Sequence, residues 1–509
     1  MLKKSLLGIA LWIPALIMIV LLVSTAILLP RPPDDSLYAV WILLTIGAGI
    51  CLVLFLSIWG FTKLYQWKKS YFYLALGSLI IIPRVIWIIW IPTHAVSDFY
   101  YYQVIASYVA DNNNWTTLYN QGILFYAPYF THILNFSNIL SIVYNIFGNN
   151  YLVGQLFNSV LTLAGTFLLF KVVKNWFPLG VAVGSSLIFA LWPAYFMYST
   201  LLATEPLFIF LFVLALFFYQ QVEQRAPSFI WSLLLVLTLI GLNMIRPLAV
   251  VILIAFVITS FLLRPNRKET LKRYAIVVAL FLIFLAGQST INKLVYHIPT
   301  ANSTVGYNVF VGANEKTGGQ WNEADTKTFW KLYNDNKTNT AKVDSALMQK
   351  GLDRYKTMAE DGKLTDHIIA KMKNYSNEGY GYDWNIYSDA PFIWYHSAII
   401  LTICNVFMYI MLGLNFLAVV LALYLRRIAD IYLFVLLQIG FTVATLLVEV
   451  QGRYHVPLLI GYVVIAAWGC WQVYRLVLGK TKKKPKKETP MSGEDMGLEL
   501  WNETKEPSQ

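Results

Sequence analysis

A few charged residues at the ends of apolar runs are the ones placed to do chemistry. Asp98 opens the polar stretch DFYYYQVIASY shortly after the apolar run IIIPRVIWIIW. A carboxylate there, beside Tyr101 and Tyr102, can take a proton from a hydroxyl held at a membrane interface. Glu205, in LLATEPLFIF, begins another apolar run, and Arg246, in GLNMIRPLAV, ends one. Glu449 and Arg453, in LLVEVQGRYHVP, occupy the short turn between two more, followed at once by Tyr454 and His455. Arginines at such positions can hold a phosphate bidentately while a carboxylate acts on a hydroxyl. This set suits a substrate that is part lipid and part polar. Arg84 differs, lying deep inside an apolar run, where a charge is costly and often functional.

Each of these residues also has a purely structural reading. Asp98 can cap the helix that follows it. Glu205 in a first turn is favoured by the helix dipole. Arg246 and Arg453 can anchor at the interface by snorkelling, and the tyrosines can form an aromatic belt. Arg84 can bond a neighbouring carbonyl or snorkel to the surface. The structural readings do not account for carboxylates and arginines gathered on one side of the membrane, beside loops too long to be mere connectors.

The elements that must carry these residues are transmembrane helices. Of 509 residues, 58% are hydrophobic and only 13% charged, and the mean hydropathy is +0.57. Soluble domains carry roughly 25% charged residues, so this chain cannot cover itself with polar surface. The net charge of +12 sits in short loops and the tail, which points to membrane topology and not to nucleic acid. Cys51, Cys404 and Cys470 lie far apart in apolar runs, which excludes a disulfide framework. The six histidines are scattered without HxxxH spacing, so no metal site is read. The first apolar run, about 24 residues long, exceeds the core of a signal peptide and is expected to be a retained span.

About twelve runs can cross a bilayer, near 6–29, 38–63, 71–92, 151–174, 179–198, 203–221, 229–245, 247–263, 273–293, 400–425, 430–449 and 456–478. With Lys3 and Lys4 inside, the cytoplasmic segments hold Lys63, Lys68, Lys69, Lys171, Lys174, Arg225, the stretch RPNRKETLKR, Arg426, Arg427 and the tail KTKKKPKK. The short loops on the other side are nearly free of Lys and Arg, so both termini are expected in the cytoplasm. The chain is expected to divide into two extra N-terminal spans (1–70), a membrane core with a first external loop at 93–150 (71–293), and an external segment (294–395). C-terminal spans (396–478) and a disordered basic cytoplasmic tail (479–509) complete it. An amphipathic helix is expected after Asp98, with Phe99, Tyr102, Ala106 and Val109 on one face, and mostly helix from Asp325 to Lys373.

Four stretches carry a family resemblance. PRVIWIIWIPTHAVSDFYYYQVIASYVA resembles the first span and first external loop of membrane glycosyltransferases of the C type (GT-C). More narrowly, it resembles the branch of protein O-mannosyltransferases and bacterial lipid A aminoarabinose transferases. TEPLFIFLFVLALFF is similar to a later span opening on an acid, VEVQGRYHVPLLIGYVVIAAWG to the last span, and GYNVFVGANEKTGGQWNEAD to external loops of bacterial relatives. The likeness runs in order over roughly residues 71–478.

The resemblance implies an all-α integral membrane protein of the cell membrane with an extracellular active site. A sugar carried on polyprenyl phosphate, undecaprenyl phosphate in a bacterial host, would pass to an acceptor hydroxyl. The acceptor class would be a glycan, a teichoic acid, a lipid or a protein. Asp98 falls on the family's loop aspartate and would be the general base. Many relatives follow it with Glu where this chain has Phe99, which removes a second adjacent acid.

One base is enough, because phosphate leaves without protonation whereas glycosidases need two carboxyls. Direct displacement would invert the anomeric carbon. Arg246 and Arg453 are the candidates for stabilising the leaving phosphate, with Tyr454 and His455 lining the pocket and Glu205 orienting an arginine or the sugar. A strongly depressed carboxylate would be a poor base, so Asp98 is expected to be partly desolvated. No cofactor is required; a divalent ion is compatible but not implied. The rival readings are a transporter or flippase of lipid-linked glycan, a polysaccharide polymerase or ligase, and a binding protein whose 294–395 segment folds alone.

Overall fold

The computed structural model describes residues 2–29, 39–224, 228–264, 266–337 and 339–479. Arg225 and the basic tail from residue 480 lie outside the described residues. Among the described residues the protein is all helical, and the extended pairing is a single bridge between Thr93 and Ser388.

Among the described residues an apolar helix falls in each of the twelve expected runs, and the chain is a multi-pass membrane protein. Nine of those described are long enough to span a bilayer: Gly8–Leu28, Val40–Trp67, Lys69–Trp90, Tyr151–Trp176, Glu205–Gln224, Arg267–Tyr296, Ser397–Tyr424, Ile428–Leu446 and Leu458–Val477. Leu179–Ala190, Phe229–Ile245 and Ala249–Leu263 are shorter. At 1.5 Å per residue the first of these three covers only about 18 Å of a hydrocarbon core of roughly 30 Å.

Proline explains where the short helices stop. The expected continuous span 179–198 breaks before Pro193, which starts the separate helix Pro193–Tyr198 and holds Trp192 at ψ 112°. Pro247 likewise excludes Arg246 from helical backbone, and Arg246 adopts φ −149°, ψ 132° as the cap of Phe229–Ile245. That break turns the Arg246 side chain out of the helix register. Pro206, just inside the start of Glu205–Gln224, fits a first turn where its missing N–H costs nothing.

Tyr151–Trp176 packs between Glu205–Gln224 and Leu179–Ala190, and the last helix packs between Ser397–Tyr424 and Leu179–Ala190. The two N-terminal helices lie outside this core. Leu2–Leu28 rests on Ser397–Tyr424 and Ile428–Leu446, and Val40–Trp67 rests on Leu179–Ala190 and Lys69–Trp90.

The polar segment after Arg267–Tyr296 forms a helical lobe from Val305–Gly312, Glu323–Asp335, Thr340–Glu360 and Leu364–Tyr375. Asparagines set two of these starts: Asn322 accepts from Asp325 N at 2.9 Å and Asn339 from Lys342 N at 3.2 Å. The lobe core contains Tyr307, Phe310, Phe329, Tyr333 and Leu347, completed by Tyr129 from the earlier polar segment. The Tyr129 hydroxyl donates to Asp344 at 2.9 Å, and Ala301 N donates to Pro128 O at 2.9 Å. The two polar segments therefore share one core, which counts against an independently folding 294–395 unit.

Candidate active site

Asp98 is the second residue of helix Ser97–Ala110. It does not cap that helix: its oxygens point away from the backbone into a cluster of side chains. Oδ1 accepts from the Tyr126 hydroxyl at 2.9 Å, and Oδ2 accepts from Arg453 Nη2 at 3.2 Å, across 355 positions of sequence. Its side chain keeps 22% of its exposure, against 9% for Arg453. Burial alone would push the carboxyl up. The Arg453 charge, His132, and the hydrogen bonds from Tyr126 and Arg453 outweigh burial and hold Asp98 below the usual carboxylate range. From sequence a partly desolvated carboxylate without such a depression is expected. The difference arises because the arginine expected at a phosphate is bonded to Asp98 itself.

Arg453 projects from the turn Gly452–His455. Its guanidinium is flanked by the rings of Phe99, Trp384 and Tyr454 at 6.0, 5.3 and 5.8 Å. His132, at the start of helix Thr131–Phe147, feels the charges of Asp98, Arg246, Arg453 and Glu205. Burial pushes its imidazole down to about 4, so it is neutral at physiological pH. Tyr102 is buried in the same group; burial, reinforced by Asp98, raises its hydroxyl well above the ordinary value and keeps it a neutral donor. Tyr101 packs behind this group on Phe125 and Tyr126, at 5.5 and 4.8 Å.

Beside this cluster, Arg246 Nη2 bonds Glu205 Oε1 in a buried ion pair, and the Arg246 guanidinium lies 5.6 Å from the Tyr454 ring. Both arginines retain a buried, unpartnered Nε–H. An unsatisfied buried donor costs about 1–3 kcal/mol, so two of them in one cluster favour an anion there.

The lobe holds the turn that carries Arg453. Glu449 N donates to Asn308 O at 2.7 Å and Val450 N to Gly319 O at 2.9 Å. Lys371 Nζ, fully buried, donates to Gly312 O at 2.9 Å, Val448 O at 2.6 Å and the Tyr355 hydroxyl at 3.0 Å. Gly312 is required at this joint, since a Cβ there would stand 2.3 Å from the Val448 carbonyl carbon. Glu449 is buried, accepts from Gln451 Nε2 at 2.7 Å, and has its carboxyl pushed up by that burial.

Two of the singled-out residues fall outside the Asp98 cluster. His455 turns inward, with Nδ1 2.8 Å from Tyr375 O and Nε2 2.9 Å from Glu378 Oε1, while Trp192 Nε1 donates to the other Glu378 oxygen at 3.0 Å. This pair anchors the far side of the Arg453 turn. Arg84 is also buried: Nε donates to Ser199 Oγ at 2.8 Å, and Nη1 and Nη2 donate to the Ile80 and Ala190 carbonyls at 3.0 and 3.4 Å.

Tyr126, His132, Trp384 and Lys371 join the site without a signal in the sequence. Each is a lone aromatic or basic residue whose importance comes from a partner distant in the chain. Among the described residues, no group of three or more His, Cys, Asp or Glu is arranged to hold a metal, and the cysteines are free.

Residues 132–290 match the family model of dolichyl-phosphate-mannose-protein mannosyltransferases. The match covers just under a third of the chain and includes His132, Glu205 and Arg246, but not Asp98 or Arg453. A comparison with curated proteins finds no match. The matched stretch runs through the helical bundle, so this part of a multi-pass membrane protein is mannosyltransferase-like.

Proposed function

We propose that the protein is an inverting glycosyltransferase that moves a sugar from a polyprenyl-phosphate donor to an acceptor hydroxyl at the outer face of the membrane. The observation that carries this reading is the meeting of Asp98, Arg453 and the Glu205–Arg246 pair at one end of the bundle, with two buried guanidinium N–H groups left for an anion. Arg453 and Arg246 bind the donor phosphate and stabilise the charge it gains as its bond to the sugar breaks. Asp98 accepts the proton of the acceptor hydroxyl while that oxygen attacks the anomeric carbon. The electron pair of the breaking C–O bond leaves with the phosphate, so no acid is needed.

The ion pair between Asp98 and Arg453 gives this reaction an order. A phosphate competing for Arg453 weakens the charge that depresses Asp98, and the proton affinity of the carboxylate rises when the donor is bound. The hydrogen bond from Tyr126 keeps the carboxylate oriented. Arg84, the charge deepest in the bundle, has its guanidinium engaged by Ser199 and two carbonyls, which weakens a transporter reading. The positive-inside pattern supports the outward placement of the site.

The test is to supply wild-type membranes with matched polyprenyl-monophosphate and polyprenyl-diphosphate sugars and a cell-envelope acceptor, and to determine the anomeric configuration of the product. Transfer from the monophosphate donor with inversion is expected. Transfer from the diphosphate donor alone, or with retention, would overturn the reading.

A further inference from the structure

A cleft beside Tyr126 is unused by this mechanism. One wall is the turn from Tyr119 to Phe125, and the other is the end of the Glu323–Asp335 helix with Trp330 and Tyr333. The cleft holds about 570 Å³, within the roughly 300–1,000 Å³ of small-molecule sites. Asn120, Asn334 and Lys337 form its polar rim. Phe125 has φ +48°, an uncommon conformation for a bulky residue, and the residue is 47% exposed. The same ring stacks on Tyr101 at 5.5 Å and meets Trp330 at 4.4 Å. A strained backbone that presents an aromatic face to a cleft is a feature associated with binding. The cleft is one side chain from Asp98: Tyr126 packs 5.3 Å from Phe125, and its hydroxyl donates to the carboxylate.

We infer that this cleft is the acceptor site and that its occupant is a pyranose-bearing glycan. The inference rests on the transferase reading above. Aromatic faces carry negative π density, which suits the weakly positive C–H face of a sugar ring. Asparagine amides both donate to and accept from hydroxyls, and Lys337 adds a cation for a carboxylated or phosphorylated unit. A peptide is the poorer fit. The walls are a turn and a helix end with no strand edge, so an extended peptide finds no ladder to join, and the polar rim does not suit an amphipathic helix. A glycan seated on Phe125 and Trp330 directs its next unit past Tyr126 toward Asp98.

The experiment uses the purified full chain and a fixed probe set: maltoheptaose, cellohexaose, mannohexaose and hexagalacturonate. Binding is followed by saturation-transfer NMR and calorimetry, and donor hydrolysis by water serves as an acceptor-independent activity. At least one oligosaccharide is expected to bind the wild type. Trp330→Ala and Phe125→Ala should each weaken that binding roughly twofold to tenfold, the range of one aromatic contact. Acceptor KM should rise in parallel while donor KM and donor hydrolysis stay unchanged. Trp330→Tyr retains a stacking face and should restore binding, which separates stacking from misfolding.

No binding of any probe by the wild type, or binding left unchanged by both alanine variants, would overturn the inference. The two proposals fail separately. Normal glycan binding in the cleft variants with transfer intact removes the acceptor site and leaves the transferase. Weakened binding in the variants, with no transfer from any monophosphate donor by the wild type, leaves a glycan site and removes the transferase.

Discussion

Replacing Lys371 with methionine tests whether the lobe secures the turn that carries Arg453. The ammonium bridges Gly312 O, Val448 O and the Tyr355 hydroxyl in a fully buried position. Its loss deprives the Val448 carbonyl of that donor, a change costing about 1–3 kcal/mol, whereas Gly312 O keeps His367 and Tyr355 nearby. Burial, partly opposed by the Glu449 charge, pushes the Lys371 amine down to about 7. An unfolded lysine titrates near 10.4, so between about pH 7 and 10.4 the unfolded chain binds more protons than the folded one. Wild-type stability contributed by this residue therefore rises with pH across that window, by at most about 1.4 kcal/mol per unit. Below about pH 7 it is flat at its low value, because lysine is charged in both states. Methionine has no such slope. Apparent melting temperatures of both proteins in one detergent at pH 6, 7, 8 and 9 should show the wild-type advantage widening above pH 7, and donor KM should rise in the variant. A difference that stays constant over this range would refute the reasoning.

Three further outcomes are expected. Gly312→Ala forces the lobe away from Val448, so it should cost about 1–3 kcal/mol in melting experiments and reduce transfer, whereas a neutral result would contradict the tight joint. Tyr126→Phe removes one of the hydrogen bonds that depress Asp98, so the acid limb of the transfer rate against pH should move to higher pH; no shift, or a downward one, counts against Asp98 as the titrating base. Glu205→Gln leaves the Arg246 guanidinium buried without its carboxylate and should destabilise by about 3–5 kcal/mol, with Glu205→Gln/Arg246→Met less destabilised than the single variant; additive losses would argue against coupling.

The helices were legible because a bilayer demands long apolar runs, and each expected run is a helix except 179–198, which breaks before Pro193. The break at Arg246-Pro247 could be read from a charge beside a proline. The break at Trp192-Pro193 could not, because it is apolar on both sides. Asp98, Glu205, Arg246 and Arg453 stood out because charges at the ends of spans are expensive. Their pairing was not legible: Asp98 and Arg453 are 355 positions apart, and nothing local to either indicates the other. The depression of Asp98 follows from that contact and was missed with it. His455 was singled out for standing two residues after Arg453, but a 3₁₀ turn sends the two side chains to different neighbours. Tyr129 carried no sign that it would complete the core of a lobe whose first residues lie some 170 positions later.

The central claim is that Asp98 is the base for sugar transfer from a lipid phosphate. The most direct measurement compares wild type and Asp98→Asn at equal expression, with a labelled polyprenyl-monophosphate sugar and a cell-envelope acceptor. The account predicts transfer by the wild type, loss of at least about a hundredfold in the variant, as expected when a general base is removed, and donor binding no weaker than in the wild type, because Arg453 loses its competing carboxylate. Transfer by the variant at the wild-type rate would contradict it.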